Sequence, residues 1–537
     1  MRCIALGQAW QDAIQETEDG GQKTDLTSEL RPPTSVIFIC AQIPEPLADR
    51  IKSEGFELIR IDADLGSPDD LQQTLNAIAS LSVTSQSEII NHQSSITSPW
   101  LVLDGYHFHL DYQRGIRVAG IKLLLIDDYN HLPEYECDIL LNQNINATDL
   151  NYRINPEARR LLGAEDALLR REFRNVDAMP PSRSPKVGPE RSERGSIIAG
   201  QRPEGSAKNI LVTLGGADPD NVTLKVIQAL NHLNMPDLHV KIIVGPANPH
   251  LEVLRQALSS STINCELINS VWDMPGLMQW ADLAISAAGS TCWELCCLGV
   301  PFITLVLAEN QRGLATELDR RAIASCLGEN PSVDAIAGTI TNLLTGREER
   351  TRRSKVEQEL VDCFGTDRVL CSPAKDVGLD IFSGRLSLRS AAECDMALFW
   401  KWANDPSVRA NCYNPEPIPL ESHQKWFFSK LVSDDTLMLV LELDGIPAGQ
   451  VRYDRYGDTA DIGFSIDPRF RGLGLGQKIV EQSLNPAFTR LKIARVRAEV
   501  FAANSASQAV FIKTGFESEE LCEIKGVPSF VFIKKRP

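Results

Sequence analysis

The chain has 537 residues, with 54 Lys+Arg against 71 Asp+Glu and a formal net charge of −17. At about 150 residues per domain this length makes three to four domains, and 43% hydrophobic with 23% charged residues excludes a disordered or fibrous chain. The acidic balance argues against a nucleic-acid partner, which needs a basic stripe, but not against small anions held by backbone N–H groups.

The N-terminus, MRCIALGQAWQDAIQ, lacks a signal-peptide apolar core and reads as an amphipathic helix. Residues 1–175 then alternate apolar runs with helical patterns: SVIFIC (35–40), WLVLDGY (100–106), IKLLLIDD (121–128) and CDILLNQN (137–144). Apolar runs that end in Asp, Gly or Asn predict parallel strands whose C-terminal ends face a ligand crevice, as in a Rossmann-like lobe. The polar stretches 18–34 and 82–98 read as exposed insertions. Residues 176–208, rich in Pro, Gly, Ser and Arg, read as a flexible linker.

Residues 209–380 repeat the rhythm with NILVTLGG, HVKIIVG, LAISAAG and FITLVL, a second Rossmann-like lobe. Its most apolar part, Leu283 to Leu307, is broken by Gly289, Glu294, Gly299 and Pro301 and predicts strand, helix and strand, not a membrane span. The 13 cysteines are odd in number and form no CxxC pair. Cys292, Cys296 and Cys297 read as buried small hydrophobes of a reducing compartment, and the chain is expected in the cytoplasm. Residues 385–537 are expected as α+β, with helices through FWKWAND and ESHQKWFFSKLV, a hairpin turning at Asp444-Gly445, and strands ADIGFSID, RVRAEVF and SFVFIKK.

Two sets of motifs carry chemistry. After the strand NILVT comes Gly215-Gly216, and after LAISA comes Gly289-Ser290-Thr291 at a helix start. Small residues there expose N–H groups and hydroxyls to a phosphate, and Glu294, one turn on, has the reach to accept from ribose hydroxyls. Together with Asn310 and Gln311 they form the expected UDP site. In the last third, Arg471-Gly472-Leu473-Gly474-Leu475-Gly476 lies between a strand and a helix, where glycines let the backbone approach a pyrophosphate.

That loop, with Asn504 to Phe516 downstream, resembles the GNAT family of acetyl-CoA-dependent N-acetyltransferases over residues 385–537. The resemblance implies acetyl-CoA as co-substrate, with Arg471, Gly472, Gly474 and Gly476 on its pyrophosphate, the strand Asp461–Ile466 along its pantetheine arm, and Asn504 touching that arm. Many members use a Tyr as general acid where this chain has Phe511, so the acid is left open. Glu499 and His423 are possible bases, though a surface glutamate and a helix-face histidine are the commoner readings of such residues. The segment Trp402-Ala403-Asn404-Asp405-Pro406 with Arg409 resembles members acting on nucleotide amino-sugars, where it walls the acceptor site.

Residues 1–380 resemble the UDP-sugar hydrolases of pseudaminic acid biosynthesis through LDGYHF (103–108), LLLIDDYNH (123–131), DILLNQN (138–144), VTLGGADPDN (212–221) and AAGSTCWELCCLGVP (287–301). The resemblance implies a GT-B fold of two Rossmann-like lobes, like the MurG-type glycosyltransferases, and metal-free attack of water on UDP-2,4-diacetamido-2,4,6-trideoxy-β-L-altropyranose. In that family a first strand and a Gly-rich loop ending in the base histidine precede the Arg-Cys seen here as Arg2-Cys3, and this chain begins at Met1. The expectation is either a misassigned start or fragment, or a lobe that binds UDP-sugar without hydrolysing it. Asp104, Tyr106 and Asp127 are the remaining candidates near the cleft, Asp104 and Tyr106 being the tentative catalytic pair. His107 and His109 lack a third ligand, and no metal is expected.

The combined expectation is a bifunctional enzyme. It N-acetylates a UDP-4-amino-sugar and hydrolyses UDP from the product, with no membrane partner and an open oligomeric state. A GT-B glycosyltransferase fused to an acetyltransferase, and an inactive UDP-sugar-binding lobe serving an active GNAT domain, are the alternatives.

Overall fold

The computed structural model describes residues 1–19, 36–86, 99–174, 208–376 and 386–536, apart from positions 217, 234, 236, 246–247, 260, 262, 270, 272, 362, 444–445 and 519–520. Most of the polar stretches 18–34 and 82–98, most of the expected linker and the Asp444-Gly445 turn lie outside these residues. Lys208, assigned to the linker from composition, instead opens a strand. The chain divides into two compact units, Met1–Ile381 and Phe382–Pro537.

Unit 1 is built of parallel sheet. Its first lobe carries the pair β1 (Ile37–Cys40) and β2 (Glu57–Arg60), and a separate sheet of β3 (Trp100–Asp104), β4 (Lys122–Ile126), β5 (Ile139–Asn142) and β6 (Arg159–Leu162) in that order. The helix Arg2–Asp19 packs on both: Ile4 meets Ile51 and Phe56, while Ala5, Leu6 and Ala9 meet Leu124, Ile126 and Leu141. The apolar face spaced three to four residues apart in CIALGQA is what that packing uses.

The second lobe has one six-stranded parallel sheet. Its strands are β7 (Lys208–Thr213), β8 (Leu238–Ile243), β9 (Asn264–Ile268), β10 (Leu283–Ala287), β11 (Phe302–Leu305) and β12 (Ser325–Cys326). Their spatial order is β12-β11-β10-β7-β8-β9. Counted from β7, this is the 3-2-1-4-5-6 order of a doubly wound sheet, whose switch point lies between β7 and β10. Both central strands are buried along almost their whole length, which explains why they are unbroken apolar runs.

The two lobes are not independent bodies. Ile145, Ala164, Ala167, Leu169 and Phe173 of the first pack in one cluster with Leu211, Ala284, Trp293 and Phe302 of the second. The helix Gly365–Asp376 returns to the first lobe, where Val369 and Leu370 pack with Ala5, Leu6 and Ala9.

Unit 2 is α+β. Its sheet runs β13 (Leu386–Ser390), β14 (Thr436–Leu443), β15 (Ile446–Tyr456), β16 (Thr459–Ile466), β17 (Arg495–Phe501), β20 (Val527–Lys535) and β18 (Glu517–Ser518), with β19 (Cys522–Ile524) on β20. All its pairings are antiparallel except β16 with β17. That pair is in register only at Thr459, Ala460 and Asp461 with Arg495, Val496 and Arg497. Beyond Asp461 the two strands are no longer paired, and among the described residues Ile462–Ile466 have no strand partner on that side.

Candidate functional sites

In unit 1 the structure places both expected glycine turns at the switch point. Gly215 and Gly216 follow β7, and Gly289 to Thr291 follow β10 and open the helix Thr291–Leu298. Gly215 has φ +89°, a conformation open to glycine. A Cβ at Gly215, Gly216 or Gly289 would meet nothing within 4 Å, so the backbone there borders open space, as close approach of a ligand requires. A cavity of about 510 Å³ on the same lobe is lined by Asp220, Lys225, Leu307, Glu309, Glu329 and Asn330, and by none of the turn residues Gly215, Gly216 or Gly289 to Thr291.

Three other expected residues of this site are engaged differently. Glu294 accepts from Arg170 at 2.9 Å, and Arg170 also reaches Glu172 at 2.7 Å. Burial pushes the Glu294 carboxyl up while Arg170 pulls it down. Glu294 is thus an ion-pair partner across the lobes, not an open ribose acceptor. Gln311 holds its own loop by accepting from the Leu307 N–H at 2.9 Å. Asn310 donates to the Tyr106 hydroxyl at 3.0 Å, joining the loop after β11 to the first lobe.

The first lobe contributes a polar cluster at the C-terminal ends of β3 and β4. Asp104 is held by Arg2, at 2.5 Å from Nη2 and 3.3 Å from Nε, and the same guanidinium reaches Asp128 at 2.7 Å. Tyr106 donates to Asp128 at 2.6 Å, and burial, then that carboxylate, pushes the phenol above its ordinary range. Asp104 is therefore neutralised by Arg2 and is not a free carboxylate.

Asp127 is fully buried. It accepts from the N–H groups of Tyr129 (3.0 Å) and Asn130 (2.6 Å), from the hydroxyls of Tyr135 (3.1 Å) and Tyr152 (2.6 Å), and from His131 Nδ1. Sequence reasoning assigned no role to His131, the last residue of LLLIDDYNH. The i, i+4 spacing of Asp127 and His131 just past a strand end was the available signal.

The cysteine reading needs one correction. Cys297 is joined to Cys363 in a disulfide, because the end of the helix Thr291–Leu298 meets the turn before Gly365–Asp376, with Cα atoms 5.9 Å apart. Cys292 and Cys296 are buried thiols as expected, and burial raises Cys292 to about 12, which removes it as a nucleophile. Among the described residues no group of three or more His, Cys, Asp or Glu could hold a metal ion, and no helix is long and apolar enough to cross a membrane.

In unit 2, Gly472 (φ +84°) and Gly474 (φ +78°) wind the loop that opens the helix Leu475–Arg490. Gly476 lies inside that helix, where an added Cβ would come 3.2 Å from Val510. Arg471 is committed within the protein. Its guanidinium donates to Ile466 O (3.1 Å), Ser407 Oγ (2.7 Å) and Asp405 (2.9 Å), so it fixes the loop to the Asn404-Asp405-Pro406 segment. Asn504 caps the helix Ser505–Lys513 by accepting from Ser507 N–H at 3.1 Å. Phe511 is a core ring against Phe464, Phe516 and Phe532.

A continuous polar chain lies where β16 and β17 part. Tyr456 donates to Asp461 (3.1 Å), Arg497 bridges Asp461 (3.3 Å) and Glu499 (2.6 Å), and Tyr413 donates to Glu499 (3.0 Å). Tyr413 arrives on a loop pinned by Asn404, which accepts from Ile418 N–H at 2.6 Å, and by Trp400, which donates to Ile418 O at 2.8 Å. In the segment expected to wall the acceptor site, Trp402 is core, donating to the buried Asp467 at 2.7 Å. His423 is also core, against Trp426 and Phe427, and burial lowers its pKa. Sequence reasoning missed Tyr413, Asp461 and Arg497, whose spacing carries no motif.

Residues 209–362 match the family model of the glycosyltransferase family 28 C-terminal domain, and residues 385–517 match that of the acetyltransferase (GNAT) domain. The chain joins a GT-B-like unit to a GNAT fold. An uncharacterised protein of Methanocaldococcus jannaschii, MJ1062, is 24% identical over 453 residues, covering 82% of this chain and 86% of that protein. The spore coat polysaccharide biosynthesis protein SpsG of Bacillus subtilis is 33% identical over 165 residues, 30% of this chain and 48% of that protein, so this match spans about half of that relative. Among solved structures, yncA of Salmonella typhimurium with acetyl-CoA is 19% identical over 28% of this chain and 93% of its own, with a TM-score of 0.26. Spermidine N-acetyltransferase of Vibrio cholerae with CoA and spermine is 16% identical over 28% and 95%, with the same TM-score.

Proposed function

We propose that the chain is a two-activity enzyme of amino-sugar nucleotide metabolism. Unit 2 transfers acetyl from acetyl-CoA to the amine of a UDP-4-amino-sugar, and unit 1 releases UDP from the acetylated product by attack of water. The observation that carries the reading is the presence in one chain of glycine turns bordering open space at a parallel-sheet switch point and of a fork between two strands of a GNAT fold. The match to a spore coat polysaccharide protein supports a sugar pathway, and the resemblance to pseudaminic acid hydrolases narrows the substrate to a trideoxy-diacetamido sugar.

In unit 2 the unpaired edge of β16 would hold the pantetheine arm as a further strand, its N–H groups polarising the thioester carbonyl. The helix start at Gly474 would face the pyrophosphate. Glu499 would take a proton from the attacking amine, with Arg497 and Tyr413 fixing its carboxylate. In unit 1 the turns at Gly215–Gly216 and Gly289–Thr291 would hold the diphosphate, and the cluster around Tyr106 would face the sugar.

The test supplies the full chain with acetyl-CoA and a UDP-4-amino-4,6-dideoxy sugar and follows free CoA thiol and free UDP together. Both are expected to rise, UDP after thiol. Thiol without UDP would reduce unit 1 to a binding lobe or a glycosyltransferase awaiting another acceptor. Absence of thiol would remove the amino-sugar acceptor.

A further inference from the structure

We propose that Gly245 and Asp218 are positioning residues for the diphosphate of unit 1's ligand, because together they set where the Gly215-Gly216 turn lies. This rests on the reading of the unit as a UDP-sugar enzyme. The turn follows β7, and Gly245 lies just past the end of β8, the neighbouring parallel strand. A Cβ on Gly245 would come 2.3 Å from Gly216 O, 2.4 Å from its Cα and 2.6 Å from its carbonyl carbon. Side-chain carbons do not sit that close to backbone, so the two strand ends pack main chain against main chain. On Gly216 itself an added Cβ would meet nothing within 4 Å. The turn is thus backed by Gly245 on one side and open to a ligand on another.

The far end of the turn is fixed by a carboxylate. Asp218 is 3% exposed and accepts from Val222 N–H at 2.8 Å, Thr223 N–H at 2.9 Å and the Thr223 hydroxyl at 2.6 Å. Asp218 (φ +42°) and Asn221 (φ +52°) are both left-handed without being glycine. Such backbone persists where its surroundings over-determine it. Asp218 spends its charge on the first N–H groups of the helix Val222–Asn231, which closes that helix start to phosphate. A third tie comes from the loop after β8. His250 Nε2 donates to Pro219 O at 2.9 Å, and the Asn248 side chain accepts from His250 N–H at 2.8 Å. The diphosphate therefore meets turn backbone whose place is set by residues it does not touch.

The experiment measures binding of UDP and of uridine to the full chain by calorimetry, uridine by competition against UDP. The variants are Gly245→Ala, Asp218→Asn and His250→Ala, the last keeping the test open should a more buried change prevent folding. Gly245→Ala pushes the turn toward the ligand's side, and Asp218→Asn turns an amide NH2 toward the helix N–H groups. Each of these two is expected to weaken UDP about tenfold or more and His250→Ala about threefold, with uridine within about twofold of wild type. UDP affinity unchanged in the folded variants, or UDP and uridine weakened alike, overturns the positioning role. A wild-type chain that does not bind UDP overturns the nucleotide reading of unit 1 itself.

Discussion

At the scale of single residues, Glu357 is where chemistry and surroundings conflict most. It is fully buried on the helix Arg347–Leu360, and neither carboxylate oxygen has a hydrogen-bond partner. Burial raises its pKa well above the carboxylate range, with Arg353 only partly opposing. The folded state therefore keeps a proton that the unfolded chain loses near its ordinary pKa, so stability is full below that value and falls as pH rises toward the folded one. Glu357→Gln removes the titration, so unit 1 of the variant should gain stability over the wild type as pH rises through neutral. Thermal melts between pH 5 and 9 would check it: the variant's curve should be the flatter one, and equal slopes would mean Glu357 finds a partner. Residue roles were the least legible part of the sequence, and separation along the chain is the reason. Arg471 finds Asp405 66 positions away, Arg170 finds Glu294 124 away, and Asn310 finds Tyr106 204 away. The family resemblance pointed to a diphosphate for Arg471, and the motifs after two strands to UDP for Glu294 and Asn310, but a side chain's partners are set by which strand ends the fold brings together.

At the scale of elements, the helix start at Gly474 joins fold to function. Its φ of +78° is available to glycine at no cost, and an added Cβ would meet nothing within 4 Å. Gly474→Ala is thus a backbone perturbation without a clash. It should cost about 1 kcal/mol in unit 2 and raise KM for acetyl-CoA about tenfold by turning the first N–H groups away from the pyrophosphate. Thiol release at varied acetyl-CoA would measure it, with UDP release from acetylated substrate as the unaffected control; an unchanged KM would detach this loop from the co-substrate. Elements of this kind were legible because local rules fix them. Short apolar runs such as LLLI and LAISA, bounded by Asp, Asn or Gly, read as strands covered on both faces, and Gly-x-Gly before an apolar periodic run marks a helix start. What escaped was set by tertiary packing. The strand Asn264–Ile268 is a five-residue strand at a sheet edge with no buried residue, and REERTRRSKVEQEL is a helix whose charge hides its packing against Thr291–Leu298.

At the scale of the whole molecule, the arrangement of cores decides how the protein unfolds. The sequence suggested three bodies, two Rossmann-like lobes and a GNAT domain. The lobes, however, share one cluster through Ile145, Ala167, Leu169 and Phe173, and the helix Gly365–Asp376 closes over the helix Arg2–Asp19. Unit 2 has its own sheet and its own aromatic core around Phe399, Trp402 and Phe427. Calorimetry should therefore show two transitions rather than three. A ligand stabilises only the body that binds it, by about 2.7 kcal/mol at a hundredfold excess over Kd. For a body of unit 2's size, about 1 kcal/mol moves Tm by about 2–4 °C. CoA at that excess should raise one transition by roughly 5–10 °C and leave the other in place, and UDP should do the reverse. Three transitions would mean that the shared cluster between the lobes does not couple them. A shift of both transitions by one ligand would mean that the two active units are thermodynamically linked, and the second step could then sense whether the first is loaded.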